Sequence, residues 1–218
     1  FFFKKKKIRI ECLTYPGFAG AQAIVSTIAG DNNPGGKMAV TMYWSNYTSI
    51  SNFEVMDLTE GCGKTYKYFK YGVLYPFAWG ISYTQFSFQW AQNSTCNSPN
   101  GLNYCIYVKN VGSRKGTETI FLFVIPPSTI PSNESASSMK KHVISWTKIE
   151  LLPQQTYYYQ FTLNTTKDLT LYDNNGNGVI YDGQYTLSFT NGVDQNLQAS
   201  YTVDSLQIVE KFPAPEQF

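Results

Sequence analysis

The sequence predicts a mainly β protein, in which a β-sandwich follows a short strand–helix–strand segment. Beyond residue 84, short runs alternate apolar and polar residues and are separated by turn signals, which is typical of a sandwich. Before that point lies the best helical pattern in the chain. Aromatic residues make up 17% of the 218 residues and include 17 tyrosines, a composition that favours strands.

The N-terminal part contains one amphipathic pattern. Ala21, Ile24, Val25 and Ile28 form a single apolar stripe, and Gly30 is a typical C-terminal stop. Weak alternation in residues 8–14 and alternation of methionine and valine in residues 38–42 predict flanking strands. This order is the crossover unit of a parallel sheet. One such unit cannot cover both faces of a sheet, so we expect its partners to lie outside this chain.

Residues 73–88 form the boundary, called the seam below. Pro76 has no N–H for a central ladder, and Gly80 permits a tight bend. The seam is rich in large aromatic rings: Tyr75, Phe77, Trp79 and Tyr83. Such rings bury large areas, so we expect a packed joint between two parts of the molecule.

After the seam, apolar residues recur at every second position. The pattern begins with Thr84, Phe86, Phe88 and Trp90. Residues 120–125 are apolar on both faces, which indicates a central strand. Further alternating runs include Tyr157, Tyr159, Phe161 and Leu163, and then Tyr185, Leu187 and Phe189. We expect residues 128–139 to be a surface loop and Trp146 to be buried in the sandwich.

Composition and charge argue against several classes of protein. A net charge of +2 argues against nucleic acid as the main partner. No apolar run approaches the ~18 residues of a membrane helix, so we expect no membrane span. Phe1-Phe2-Phe3 precedes four lysines, the reverse of a secretory leader, and no signal peptide is recognisable in this chain.

The four cysteines and the single histidine argue against a metal site, because they form no Cys-x-x-Cys pair. Cys96 and Cys105 flank a turn-rich segment and are a possible disulfide in a secreted protein. Four sequons are possible N-glycosylation sites: Asn46, Asn93, Asn133 and Asn164. This number of sequons is only slightly larger than composition alone would give, so it is weak support for a secretory route.

Residues 173–178 (Asp-Asn-Asn-Gly-Asn-Gly, with oxygen ligands at alternate positions and glycine near the end) partly match a calcium loop. The twelfth position is Gln184, which cannot supply the usual bidentate carboxylate. Strand patterns flank the segment instead of helices. We therefore interpret it as a structural turn and predict no metal or cofactor.

Four motifs, in order, resemble the C-terminal part of glycoside hydrolase family 3, in particular its β-xylosidase-like and β-glucosidase-like members. They are Tyr15-Pro16-Gly17 with the helix and the Gly30–Thr41 run, then Gly63-Lys64-Thr65-Tyr66-Lys67-Tyr68, then the seam, and then residues 108–185. The seam is similar to the family's Tyr-Pro-Phe-Gly-Tyr-Gly-Leu-Ser-Tyr-Thr, but Ala78 and Trp79 replace Gly and Tyr.

The resemblance implies a domain organisation. It assigns residues 15–74 to a remnant of the enzyme's α/β sandwich domain and residues 75–210 to a fibronectin type III-like, immunoglobulin-like β-sandwich. Residues 1–14 are an atypical N-terminal segment, and residues 211–218 are a tail. The implied partners are the parent enzyme's N-terminal barrel and the rest of its α/β domain, and an oligosaccharide is a further candidate partner. The implied location of the parent is extracellular, lysosomal or secretory.

The resemblance also implies an activity that this chain cannot perform alone. A retaining glycosidase needs two carboxylates, and the family's nucleophilic aspartate lies in a Ser-Asp-Trp context in the barrel. No Ser-Asp-Trp occurs here, so we assign no catalytic residue. We expect the acidic residues to lie mostly at the surface or in turns, Asp31, Glu54, Asp57, Glu60 and Glu118 among them. The alternative function is a non-catalytic module that binds carbohydrate or protein.

Overall fold

The computed structural model describes residues 17–91, 96 and 101–213. The strand expected at residues 8–14 lies outside these residues. In the part of the chain that is described, no helix is both long and apolar enough to cross a membrane.

Among the described residues, ten strands follow one another from Phe86 onwards. In chain order they are β1 (Phe86–Trp90), β2 (Asn103–Asn110), β3 (Gly116–Ile125), β4 (His142–Leu151), β5 (Thr156–Thr162), β6 (Leu171–Tyr172), β7 (Gly178–Ile180), β8 (Gly183–Thr190), β9 (Asn196–Val203) and β10 (Gln207–Glu210). They form a three-stranded sheet in the order β1-β2-β5, a four-stranded sheet in the order β4-β3-β8-β9 and a small sheet in the order β10-β7-β6. All recorded pairings are antiparallel, as in a sandwich.

The alternating residues of the two larger sheets form one core. Phe86 and Phe88 of β1 pack with Ile106 and Val108 of β2, and the other sheet contributes residues such as Leu122, Tyr185, Leu187 and Phe189. The register places Phe88 opposite Val108. Strand β3 lies between β4 and β8, so its predicted central position is confirmed. The predicted β-sandwich fold class is therefore confirmed.

The segment at residues 128–139 is more structured than expected. It contains a 3-10 helix at Ser135–Ser138, and its Ile130 and Ala136 are buried. These two side chains form a second small core with Leu171 and Val179 of the small sheet and with Tyr181, which follows β7. The segment therefore packs against the small sheet.

The part of the chain that is described also contains four short or peripheral helices: α1 (Gly20–Ala29), α2 (Tyr47–Ile50), α3 (Thr65–Tyr68) and α4 (Thr165–Asp168). The predicted helix is confirmed as α1. Gly30 ends it with a φ of 89°, in the left-handed region, and donates its N–H to the carbonyl oxygens of Ser26 and Thr27. This is the glycine stop that the sequence predicted.

The strand predicted at residues 38–42 is wrong. Met38 N–H donates to Trp79 O at 2.7 Å, and Met42 N–H donates to Tyr75 O at 2.8 Å. Only Met42 and Tyr75 form a bridge, and it is isolated. Alternation correctly indicated extended backbone, but a ladder also needs a regular neighbouring strand. The seam around Pro76 does not provide one.

The predicted burial of Trp146 is also wrong, because its side chain is 64% exposed. Trp146 lies on the edge strand β4, directly opposite Phe121 of β3. Cross-strand partners share a face. Phe121 belongs to a cluster with Ala78 and Phe123 on the side of the sheet that faces the seam, away from the main core. Period-two alternation fixes which residues share a face, but not which face is buried.

Candidate functional site

The joint between the N-terminal part and the sandwich is built from aromatic rings. Phe77 packs edge-on against Phe121, with ring centroids 5.8 Å apart, and stacks on Tyr66 at 4.3 Å. Ala78, which is fully buried, packs in the same cluster as Phe121 and Phe123. The seam therefore covers the outer face of the four-stranded sheet.

One asparagine links three segments at this joint. Asn33 Nδ2 donates to Lys115 O at 3.2 Å, while its Oδ1 accepts from Tyr83 N at 2.7 Å and from Ser82 Oγ at 3.2 Å. Tyr83 Oη in turn donates to Thr27 O of α1 at 2.8 Å. The sequence pattern did not show this role, because the partners are distant in the chain.

A buried ion pair crosses the joint. Lys37 Nζ lies 2.7 Å from Glu118 Oε1, and both side chains are almost completely buried. The expectation that Glu118 lies at the surface is therefore wrong. Lys37 follows the turn-rich segment and could have suggested an acidic partner. Its pairing with Glu118, however, depends on the tertiary packing. Among the other acidic residues considered, Asp31, Glu54, Asp57 and Glu60 are exposed, as expected.

A second polar network holds the loop between β2 and β3. Asn110 is fully buried, and its Oδ1 accepts from Thr84 Oγ1 at 2.7 Å and from Gly112 N at 3.1 Å. Its Nδ2 donates to Arg114 O at 2.7 Å and to Leu151 O at 3.0 Å. Every hydrogen-bonding position of the amide is therefore used, which makes this buried polar side chain tolerable.

The described residues show no cluster suited to binding a metal ion. No group of three or more His, Cys, Asp or Glu residues could hold a metal ion in the described ranges.

The segment at residues 173–178 is held by its own aspartate. Asp173 Oδ1 accepts from the N–H groups of Asn175 and Asn177, and Oδ2 accepts from Asn177 Nδ2. The Asn177 side chain and these N–H groups lower the pKa of Asp173.

His142, the single histidine, is packed into the fold. Its Nε2 lies 3.2 Å from Asp168 O, and its Nδ1 is buried without a hydrogen-bond partner among the described residues. Burial lowers the pKa of His142 to about 4. The imidazole is therefore neutral near pH 7, and its surroundings give it a structural role.

The predicted modification sites differ in their surroundings. Asn46, Asn133 and Asn164 are exposed, whereas Asn93 lies outside the described residues. Asn164 caps α4 by accepting from Lys167 N, while the Asn46 side chain caps no backbone N–H of α2.

The structure joins Cys96 and Cys105 by a disulfide, and Cys62 is a buried free thiol.

The most unusual surface is the apolar stripe of α1, called the uncovered face below. Val25 and Ile28 are 65% and 77% exposed, and Phe18 just before the helix is fully exposed. The polar Thr27 is instead the buried residue of the last turn. An amphipathic helix normally buries its apolar stripe. Contiguous exposed apolar surface of this kind is typical of a protein interface.

A concave cleft of about 580 Å³ lies elsewhere, between α2 and the segment after α3. Its lining includes the rings of Trp44, Tyr47, Phe69 and Tyr71, together with the sequon residue Asn46. Trp44 and Tyr71 are both more than half exposed. The cleft therefore offers aromatic faces to a ligand or to an attached group.

Comparisons of the sequence and of the structure with known proteins point to the same class of enzymes, the glycosidases. No family model matches the sequence. The chain is 27% identical over 206 residues to β-D-xylosidase 1 of Arabidopsis thaliana, which covers 79% of this chain and 26% of that protein. It is 28% identical over 213 residues to a β-xylosidase/α-L-arabinofuranosidase of Medicago sativa subsp. varia, with 84% and 27% covered. A solved GH3 exo-β-xylosidase superimposes with a TM-score of 0.77 at 22% identity, over 93% of this chain and 28% of that one.

These results confirm the resemblance to glycoside hydrolase family 3. The structural likeness shows a shared fold, and the sequence relatives are β-xylosidases of the family. The chain spans only about a quarter of the length of the curated relatives it matches. It therefore matches a portion of these relatives.

Proposed function

We propose that this chain is the C-terminal, non-catalytic part of a family 3 glycoside hydrolase that in complete form cleaves β-xylosides. The β-xylosidase activity for which its relatives are named supports this proposal. The two catalytic carboxylates would be supplied by the parent's other domains. Residues 75–210 would be the fibronectin type III-like domain, and residues 15–74 would be the remnant of the α/β domain.

The uncovered face of α1 is the observation that carries the proposal. Val25 and Ile28 are exposed while Thr27 is buried, so the helix is oriented for a second partner on its outer side. We propose that this partner is the rest of the α/β domain, next to the N-terminal barrel. Burial of Val25 and Ile28 would contribute about 1.5–3 kcal/mol each if it were complete.

Two assays test the proposal directly. Residues 1–218 alone are expected to release no nitrophenol from nitrophenyl β-xyloside above background. The transcript upstream of Phe1 is expected to encode a barrel with a Ser-Asp-Trp motif, and the complete enzyme is expected to hydrolyse the substrate. Robust turnover by the isolated chain would overturn the proposal.

The docking role of α1 is tested in the complete enzyme with Ile28→Asp. This change is expected to lower the yield of active enzyme, because it places a charge in the proposed interface. In the isolated chain it is expected to leave the urea midpoint unchanged, since the side chain is exposed. Val193→Asp is the matched control: Val193 is 50% exposed on a loop of the sandwich. Equal effects of the two changes in the complete enzyme would contradict the docking role.

A sugar-binding module is the second candidate, and one observation favours it. Tyr107 and Tyr158 lie opposite each other on the outer face of the three-stranded sheet, with ring centroids 5.6 Å apart. Both rings are partly exposed and could contact the apolar faces of sugar rings. Calorimetric titration with xylo-oligosaccharides tests this candidate, with Tyr158→Ala as the binding-site variant. Absence of measurable heat would count against it.

We also propose a secretory, extracellular or lysosomal location for the parent. The Cys96–Cys105 disulfide and the three exposed sequons support this proposal, because disulfides persist in oxidising compartments. Peptide mapping without reduction, on protein purified from its natural source, would test the pairing. Recovery of Cys96 and Cys105 as free thiols would contradict it.

A further inference from the structure

We propose that Asn46 carries an N-linked glycan whose first sugar packs against the indole ring of Trp44. The proposal rests on the secretory location proposed above. It goes beyond that location, because it assigns a defined packing partner to one sequon and distinguishes it from the others.

The local backbone brings the two residues together. Tyr47 N donates to Trp44 O at 3.0 Å, so residues 44–47 form a hydrogen-bonded turn with Trp44 at its first position and Asn46 at its third. Thr48 Oγ1 donates to Ser45 O at 3.2 Å and reinforces the same turn. The turn therefore places the modified amide and the aromatic ring on one short, fixed piece of chain.

The cleft provides room for the sugar. Trp44 and Asn46 line the same concavity of about 580 Å³, whose other walls include the rings of Tyr47, Phe69 and Tyr71. Phe69 is buried, and Tyr47 is fixed by stacking on Tyr43, with ring centroids 3.8 Å apart, and by an edge contact with Phe69. A rigid aromatic wall loses little conformational entropy when a sugar packs on it.

The chemistry of the two partners is complementary. The electron-rich face of an aromatic ring attracts groups with a small positive charge, such as the C–H groups on one face of a pyranose. Trp44 is 55% exposed, so its ring has surface left to lose to the sugar. Covering that surface would contribute favourable apolar burial.

The modification itself is the ordinary transfer at a sequon. Asn46 Nδ2 forms a bond to C1 of an oligosaccharide held on a lipid pyrophosphate. The bond between C1 and the pyrophosphate oxygen breaks, the lipid pyrophosphate leaves, and one amide proton is released. Asn46-Tyr47-Thr48 supplies the required sequence.

The other described sequons lack this arrangement. Two residues before Asn133 is Pro131, and two residues before Asn164 is Thr162, so neither site has a preceding aromatic ring at the same spacing. Asn133 is exposed like Asn46, which makes it a matched control.

The test uses the full chain, secreted from insect cells with an added leader, so it is independent of the hydrolase proposal. Two proteins are made, one that keeps only the sequon at Asn46 and one that keeps only the sequon at Asn133. In each protein, the asparagines of the other three sequons are changed to glutamine. Glycan occupancy is measured by mass spectrometry. Thermal unfolding is followed before and after complete enzymatic removal of the glycan, and after trimming to a single sugar.

Removing the glycan from Asn46 is expected to lower the Tm by roughly 2–4 °C, the size of a single moderate interaction in a chain of this length. Trimming to one sugar is expected to preserve the Tm. In a Trp44→Ala background, removal is expected to change the Tm by less than about 1 °C, and the Asn133 protein is expected to behave in the same way.

A second readout does not depend on the stability of any variant. The N-acetyl methyl group of the first sugar is expected to show an upfield ring-current shift in the NMR spectrum, and Trp44→Phe is expected to reduce that shift. Three outcomes would overturn the proposal: an unoccupied Asn46, a Tm loss that is equal with and without Trp44, or an N-acetyl methyl signal at its free-sugar position.

Discussion

Lys37 and Glu118 form an ion pair, 2.7 Å between Nζ and Oε1, that is buried where the N-terminal segment meets strand β3. Glu118 is also held by Thr119 N at 2.8 Å and by Asn191 Nδ2 at 3.0 Å. The carboxylate therefore connects the N-terminal segment, β3 and the loop after β8. Removal of either charge would leave the other without its partner in a dry site.

Glu118→Ala is accordingly expected to destabilise the chain by about 3–5 kcal/mol, as measured from the urea unfolding midpoint. The control is the ion pair between Lys115 and Glu150, which has the same 2.7 Å distance but side chains more than half exposed. Glu150→Ala is expected to cost less than about 1 kcal/mol. Similar costs for the two substitutions would show that the buried pair adds nothing.

Asn110→Ala is expected to cost about 3 kcal/mol or more, because it removes four hydrogen bonds and leaves buried partners unpaired. Asn103→Ala is the matched control on the same strand. Within the described ranges, the Asn103 side chain accepts one bond, from Thr162 Oγ1 at the surface, and its loss is expected to cost less than about 1 kcal/mol. Equilibrium denaturation measures both, and a small cost at Asn110 would contradict the network's importance.

Ala78 has a φ of +71°, where the family's motif has glycine. The left-handed conformation costs an alanine roughly 1–2 kcal/mol, and its buried methyl group returns about 0.8 kcal/mol. Ala78→Gly is therefore expected to leave the stability unchanged or raise it by up to about 1 kcal/mol. Destabilisation of more than about 1 kcal/mol in urea would show that packing of the methyl group outweighs backbone strain.

Gly192→Ala tests the opposite side of the same contact. Gly192 has a φ of +78°, and an added Cβ would lie 2.2 Å from Ala78 O. Strain and overpacking together are expected to cost about 2 kcal/mol or more. Gly36→Ala is the control, because an added Cβ there meets nothing within 4 Å. A Gly192→Ala protein as stable as the control would refute the close approach.

His142 is expected to make stability fall as the pH is lowered. Burial lowers its pKa from 6.5 to about 4, so between these values the unfolded chain binds more protons than the folded one. The stabilising contribution is present above about pH 6.5 and is lost progressively as the pH falls towards 4. Between pH 7.5 and pH 5 the loss amounts to about 2 kcal/mol.

Comparison with His142→Gln isolates this effect from other titrating groups. The unfolding free energy of the unchanged protein minus that of His142→Gln is expected to decrease as the pH falls from 7.5 to 5. A difference that stays constant over this range would show that His142 titrates normally in the folded chain.

Local pattern determined much of this protein. Helix α1 and its end at Gly30, the central position of β3 and the alternating core residues of β1, β2 and β8 all follow from periodicity and turn chemistry. These features depend on neighbouring residues in the chain, so one sequence is enough to predict them. The four family motifs could be identified in the same way, because each is a short contiguous run.

Tertiary structure decided which faces are covered. The stripe of α1 is exposed, Trp146 lies on the outer face of its sheet, and residues 38–42 contact the seam without forming a strand. It also decided the long-range polar contacts of Asn33 and the pairing of Lys37 with Glu118. The physical reason is that periodicity fixes which side chains point the same way, whereas burial and pairing depend on what distant parts of the chain bring against them.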